Sequence, residues 1–351
     1  MKLCTYERRG ARGRPRLGAL VPGRGGDIVD LMELAARGPR MPEPGAPGVS
    51  SAAGDAEPFF RSMQTFLEGG HAARRRARIL LDRVCHEPDG DFEIIPAAEA
   101  RLLAPHPRPR SMRDAMAFER HFLQARRGGA RMLYPSLAAL DSMTRRLGVS
   151  LIRVPALFRE LPVYYKGNPA SVVGPGACVQ WPAYSDVLDY ELEIGLFIHR
   201  RGRDLSPDEA LEVVGGYTIF NDFSARDAQL REMKLGLGPA KGKDFDSGNA
   251  IGPYLVTPDE VGDPASLRAQ ARVNGEVWTR SDTSAMHFSV GEILSYISRS
   301  ETLWPGDFIG LGTVPDGCGL EHGRWLSPGD EIELEVEKLG VLRNRIVKAS
   351  T

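Results

Sequence analysis

The rhythm of apolar and polar positions changes twice along the 351 residues. Near the start, 18–21 (Gly-Ala-Leu-Val) and 27–31 (Asp-Ile-Val-Asp-Leu) are short apolar pieces of strand or turn type. Residues 38–58 are rich in Pro, Gly, Ala and Ser and predict a long loop. Residues 59–84 have helical character, interrupted at Gly69-Gly70. The tract His106-Pro107-Arg108-Pro109-Arg110 cannot continue a helix and reads as a linker. From there the pattern tightens. Ser111 with Asp114 resembles a capping box opening a helix to 127, with Phe118, Phe122 and Ala125 on one face. Beyond Leu161 the period falls to two, predicting strands at 190–198, 213–220, 270–278, 307–311 and 331–337. Strands outnumber helices and regular strand–helix–strand alternation is absent. The expected class is therefore a β-rich α+β fold without a doubly wound sheet.

Composition narrows the function. Hydrophobic residues make up 42% and charged residues 26%, enough apolar material for a core. Lys and Arg (45) balance Asp and Glu (46), which argues against a nucleic-acid partner. The strongest basic run, Arg74-Arg75-Arg76-Ala77-Arg78, is expected to be a solvated helix face. No apolar run is long enough to span a membrane, and no secretory signal is read at the N-terminus. Cys4, Cys85, Cys178 and Cys318 lie far apart with no C-x-x-C pair, which suits a reducing cytoplasm.

The chemistry concentrates in acidic residues. Residues 188–195 alternate strictly, so a strand there puts Asp189, Glu191 and Glu193 on one face. Two carboxylates at i and i+2 sit about 7 Å apart and can chelate one divalent ion. Alternation alone is weak evidence, because 331–337 repeats it with Glu331, Glu333, Glu335 and Glu337. A further carboxylate, Asp222, ends the apolar strand 216–220, where Ser224 and Asp227 look like another capping box. In 236–244 (Gly-Leu-Gly-Pro-Ala-Lys-Gly-Lys-Asp) the spacing fails both phosphate-loop patterns. Lys243 is left as either an electrophilic group or a surface lysine. His121 lies seven residues after Asp114, two turns on if the segment is one helix. Glu321 follows the turn Asp316-Gly317-Cys318-Gly319 and is unremarkable alone.

Together, D-Y-E-L-E at 189–193, N-D-F-S-A-R-D-A-Q at 221–229 and G-P-A-K-G-K-D-F at 238–245 resemble the fumarylacetoacetate hydrolase family. The resemblance covers about 111–348. It implies a mixed β-roll catalytic domain (106–351), a small β-barrel-like N-terminal domain (1–105), a homodimer, and one Mg²⁺ or Ca²⁺, with Mn²⁺ possible. Glu191, Glu193 and Asp222 match its metal ligands, and Asp114 matches a further aspartate of the fumarylacetoacetase branch. His121 matches its catalytic histidine, Glu321 the glutamate that orients it, and Lys243 its active-site lysine. Tyr165, Arg226, Gln229 and Thr313 match substrate-contacting positions. The implied activity is hydrolysis of a C–C bond in a β-diketo acid. A hydratase, isomerase or decarboxylase of 2-oxo acids uses the same scaffold, and a non-catalytic binding protein is a third reading. Met116, Met233 and Leu230 depart from the branch, standing where it has two tyrosines and a lysine. That points to a diketo acid with a less acidic or more apolar tail.

Overall fold

The computed structural model describes residues 1–10, 13–37, 58–87 and 90–348. Most of the loop expected at 38–58 lies outside them. A twelve-stranded sheet dominates, and its order runs through Asn249–Val256, Val214–Asp222, Glu191–Ile198, Phe308–Cys318 and Met112–Ala115 to the edge strand Tyr164–Lys166. A five-stranded sheet (Glu276–Asp282, Arg268–Val273, Glu331–Val336, Gly340–Lys348, Cys178–Trp181) packs against it. The fold is accordingly strand-rich and mixed, as the alternation predicts.

Parity explains the layering. On Glu191–Ile198, the side chains of Leu192, Ile194 and Leu196 enter a core shared with Ala271, Ile332 and Leu334 of the smaller sheet. Phe197 points the other way, into a second core with Phe220, Phe308 and the helix Met63–His86. Covered on both sides, this strand is buried along its whole length. The helix bends at Gly70, whose φ is 54°, at the interruption expected at Gly69-Gly70.

Several local expectations give way to tertiary pairing. Residues 112–115 are a strand, because Met112, Arg113 and Asp114 pair parallel with Phe308, Ile309 and Gly310. Ser111 caps nothing; its hydroxyl donates to Asp307 Oδ1 at 2.7 Å. The helix starts only at Glu119, so Asp114 and His121 do not share a helix face. The Ser224–Asp227 box is also absent. Ser224 bonds the Asp222 carbonyl, and Asp227 accepts from Ser185 and from the Asp186 N–H. The strand expected at 270–278 is a hairpin, turning at Asn274 and Gly275 with φ of 51° and 81°. Arg76 is buried, and Arg74 donates to the Val214 and Gly215 carbonyls, so the basic run is only partly a solvated face. The N-terminal strands form no closed barrel among the described residues. Lys2–Arg8 pairs with Asn249–Val256, and the first strands extend the large sheet.

Candidate active site

Strand register gathers the acids. Glu193 lies opposite Phe220 on one neighbour and Thr313 on the other, while Asp114 lies opposite Gly310 and Tyr165. Asp114, Glu193 and Asp222 are buried, and each brings an oxygen within 4.8 Å of the others. Gly310 makes this possible, since a Cβ there would sit 2.3 Å from Asp114 Oδ1. Glu193 is held by the Gly312 N–H (3.1 Å) and the Thr313 hydroxyl (3.0 Å), and Tyr165 donates to Asp222 Oδ2 at 2.6 Å. Gly312 has a φ of 87° and no room for a side chain, since a Cβ there would meet the Ala115 carbonyl at 2.6 Å.

The cluster carries more negative charge than the chain neutralises. Burial, reinforced by the Asp222 charge, pushes the Asp114 carboxyl well above its usual range. Burial and the Asp114 charge do the same to Glu193. Burial raises Asp222 to about 6, against the pull of Lys243. Asp114 Oδ1 and Asp222 Oδ1 have no hydrogen-bond partner although both are buried. Three clustered buried carboxylates, two of them with an unpartnered oxygen, are the donor set of a hard divalent ion, so the residues fit Mg²⁺, Ca²⁺ or Mn²⁺.

Glu191 serves differently from its neighbour two residues on. Lys243 Nζ lies 2.5 Å from Glu191 Oε2 and 2.5 Å from Asp222 Oδ2. Arg226 Nη1 lies 2.8 Å from Glu191 Oε1. Despite burial, these two cations hold Glu191 below the usual carboxylate range. Lys243 is buried, so the surface-lysine alternative is excluded. Arg226 also binds Asp189 through Nε (2.7 Å) and Gln229 through Nη1 (2.9 Å).

His121 belongs to the first turn of the helix Glu119–Leu133, and its Nδ1 lies 2.8 Å from Glu321 Oε1. Both side chains are buried. Glu321 rides on a four-residue helical turn, Gly319–His322, anchored by Asp189, which accepts from the Gly319 and Leu320 N–H groups at 2.8 and 2.9 Å. Sequence reasoning put Asp189 on the acidic face but gave it no role. Its signal was the third carboxylate of the alternation; what could not be read was a partner 130 residues away. A cavity of about 600 Å³ opens above these groups, and Asp114, Glu193, His121, Tyr165, Lys243 and Thr313 line its floor.

Residues 138–347 match the model of the fumarylacetoacetate (FAA) hydrolase C-terminal domain, and the chain belongs to that family. The bovine mitochondrial oxaloacetate tautomerase FAHD2A (Bos taurus) is 31% identical over 99% of this chain and 92% of its own length. Its rat counterpart (Rattus norvegicus) is 36% identical over 56% of this chain, a stretch spanning only 61% of the rat protein. The solved structure of the fumarylacetoacetate hydrolase of the psychrophile Exiguobacterium antarcticum is 27% identical, covers 99% of this chain and 100% of its own, and superimposes with a TM-score of 0.67. Named relatives thus include both tautomerases and hydrolases. No helix among the described residues is long and apolar enough to cross a membrane.

Proposed function

We propose that the protein is a divalent-metal-dependent hydrolase that cleaves a C–C bond in a β-diketo acid of the acylpyruvate or fumarylacetoacetate type. The buried His121–Glu321 pair beside an all-carboxylate cluster carries this reading. Asp114, Glu193 and Asp222 would hold the ion, with Glu191 as a fourth acid next to them. When bound, a hard divalent ion supplies Lewis-acid polarisation of a chelated 1,3-dicarbonyl. The chain's own groups do the rest. Glu321 accepts the Nδ1 proton of His121, which leaves Nε2 free as a base. Nε2 takes a proton from water, whose oxygen adds to the keto carbon. Lys243 offers its ammonium to the negative charge that develops there. The C–C bond then breaks, its electron pair stays on the departing carbon, and the imidazolium returns the proton to that carbon. The products are a carboxylic acid and a 2-oxo acid. Tyr165, Arg226, Gln229 and Thr313 frame the substrate.

The test is a panel of acylpyruvates with Mg²⁺ or Mn²⁺. Loss of enol absorbance should accompany release of pyruvate and the acid, and a chelator should stop both. Turnover surviving His121→Ala within a few fold would sink the mechanism. The name of the bovine relative favours a second reading, in which the same pair relays a proton between carbon and oxygen of a 2-oxo acid and no water adds. In that case the enol signal decays without cleavage products. A homodimer in a reducing compartment such as the cytoplasm completes the proposal; all four cysteines are unpaired, though the bovine relative's name is mitochondrial.

A further inference from the structure

The cavity changes character away from its polar floor. Its outer walls carry Met116, Leu133, Leu137, Ile152, Leu230 and Met233. Most come from the helices Glu119–Leu133, Pro135–Arg145 and Arg226–Met233; Met116 precedes the first and Ile152 follows the second. Met233 is 53% exposed and Leu137 43% exposed, so part of this apolar wall faces water. Exposed apolar walls continuous with an ionised floor describe a site for a ligand with one polar end and one apolar end.

The wall is held in place. Asp141 is buried and its Oδ1 accepts from the N–H groups of Leu151 (2.7 Å) and Ile152 (3.0 Å). Its Oδ2 faces Arg145 at 3.2 Å and Arg127 at 3.5 Å. Asp141 thereby fixes Ile152 against the cavity. Across from it, Gly129 lets the first helix approach Leu230 closely; a Cβ there would meet Leu230 Cδ2 at 3.1 Å. The cations at the rim are Arg126 and Lys234, both exposed. Arg126 lies over the Phe122 ring and Lys234 over the Tyr134 ring, at 5.8 and 5.4 Å. In solvent they are screened and form no buried clamp for a second carboxylate.

We propose, resting on the diketo-acid reading above, that this chamber takes the substrate's tail, and that the tail is uncharged and apolar, an alkyl or aryl group. The preferred substrate is then a singly charged diketo acid rather than a short dicarboxylate. The 1,3-dicarbonyl and its carboxylate lie at the polar floor, and the tail runs between Leu230, Met233, Leu137 and Ile152.

The experiment separates this inference from the reaction assigned above. Binding of acylpyruvates with acetyl, butanoyl, hexanoyl, octanoyl and benzoyl tails, and of an ω-carboxyhexanoyl analogue, is measured by calorimetry on Mg²⁺-loaded His121→Ala. Turnover of the same series is followed on the wild-type enzyme. Kd should fall about threefold to fourfold per methylene over the first several carbons. Met233→Glu should weaken hexanoyl binding at least about tenfold and acetyl binding less than about threefold, and Met233→Leu should restore the trend. A flat Kd series, or tighter binding of the ω-carboxylate, overturns the inference even if every compound is cleaved. A steep Kd series without cleavage supports it and overturns the hydrolase reading instead.

Discussion

Two strands of this molecule carry nearly the same sequence pattern and opposite physics. Glu191–Ile198 begins Glu-Leu-Glu-Ile and Glu331–Val336 begins Glu-Ile-Glu-Leu. In the second, the glutamates leave the core. Glu331 is exposed and Glu333 and Glu335 are half-buried, paired with Arg343 and Arg272 on neighbouring strands. In the first, both glutamates are buried, because the strand is covered by an apolar layer on each side and its acidic face turns inward to the floor of the cavity. Alternation therefore reports which side chains share a face. Whether that face is solvent or a reaction centre depends on what the rest of the chain stacks upon it.

The largest contrast is in catalysis. His121→Ala should lower turnover by about 10²–10⁴-fold, the usual range for a positioned acid–base group, while Glu335→Gln leaves it unchanged. Steady-state kinetics on a turned-over diketo acid reads both. Next comes the ion. Glu193→Gln or Asp222→Asn should weaken divalent-ion binding by about 100-fold or more in calorimetry, and Glu333→Gln should not move it. Equal effects on the two strands would erase the distinction drawn here.

A third difference is in pH response. The raised carboxyls of Asp114, Glu193 and Asp222 hold protons in the folded, metal-free protein that the unfolded chain releases near pH 4. Folding is thus uncharged for this cluster below that pH. The penalty grows from about pH 4, levels off for Asp222 above about 6, and continues to grow beyond that for the other two. The difference in Tm between Mg²⁺-loaded and chelated protein should therefore widen from pH 4.5 to 7.5, and Asp222→Asn should shrink that change. The smallest effect belongs to the strand whose glutamates leave the core: Glu333→Gln should cost under about 1 kcal/mol in denaturant melts, less in high salt.

Legibility followed the same divide. Period-two runs located the strands of both sheets, and the Gly-Gly pair located the helix kink, because each is a local property of the chain. The helix assigned to 112–115 failed because Met112 and Asp114 answer to a parallel partner nearly 200 residues away. Asp222 was legible as a strand-end carboxylate and is the last residue of Val214–Asp222. The closeness of His121 to Glu321, 200 residues apart, was available only through family resemblance. Spacing gave a wrong geometric reason for linking His121 to Asp114, since the two come from separate elements. Neither the buried state of Lys243 nor the anchoring task of Asp189 leaves a local trace, because both depend on which charges the fold brings alongside.

Gly310 has no side chain, titrates nothing and touches no substrate, yet every heavier residue would place an atom where Asp114 keeps its oxygen. A saturation library selected for activity should therefore rank this position with the carboxylates themselves. Its variants should still fold, and their defect should appear as lost ion affinity. Intolerance to substitution, taken alone, would mark Gly310 as chemically active when what it contributes is an empty volume.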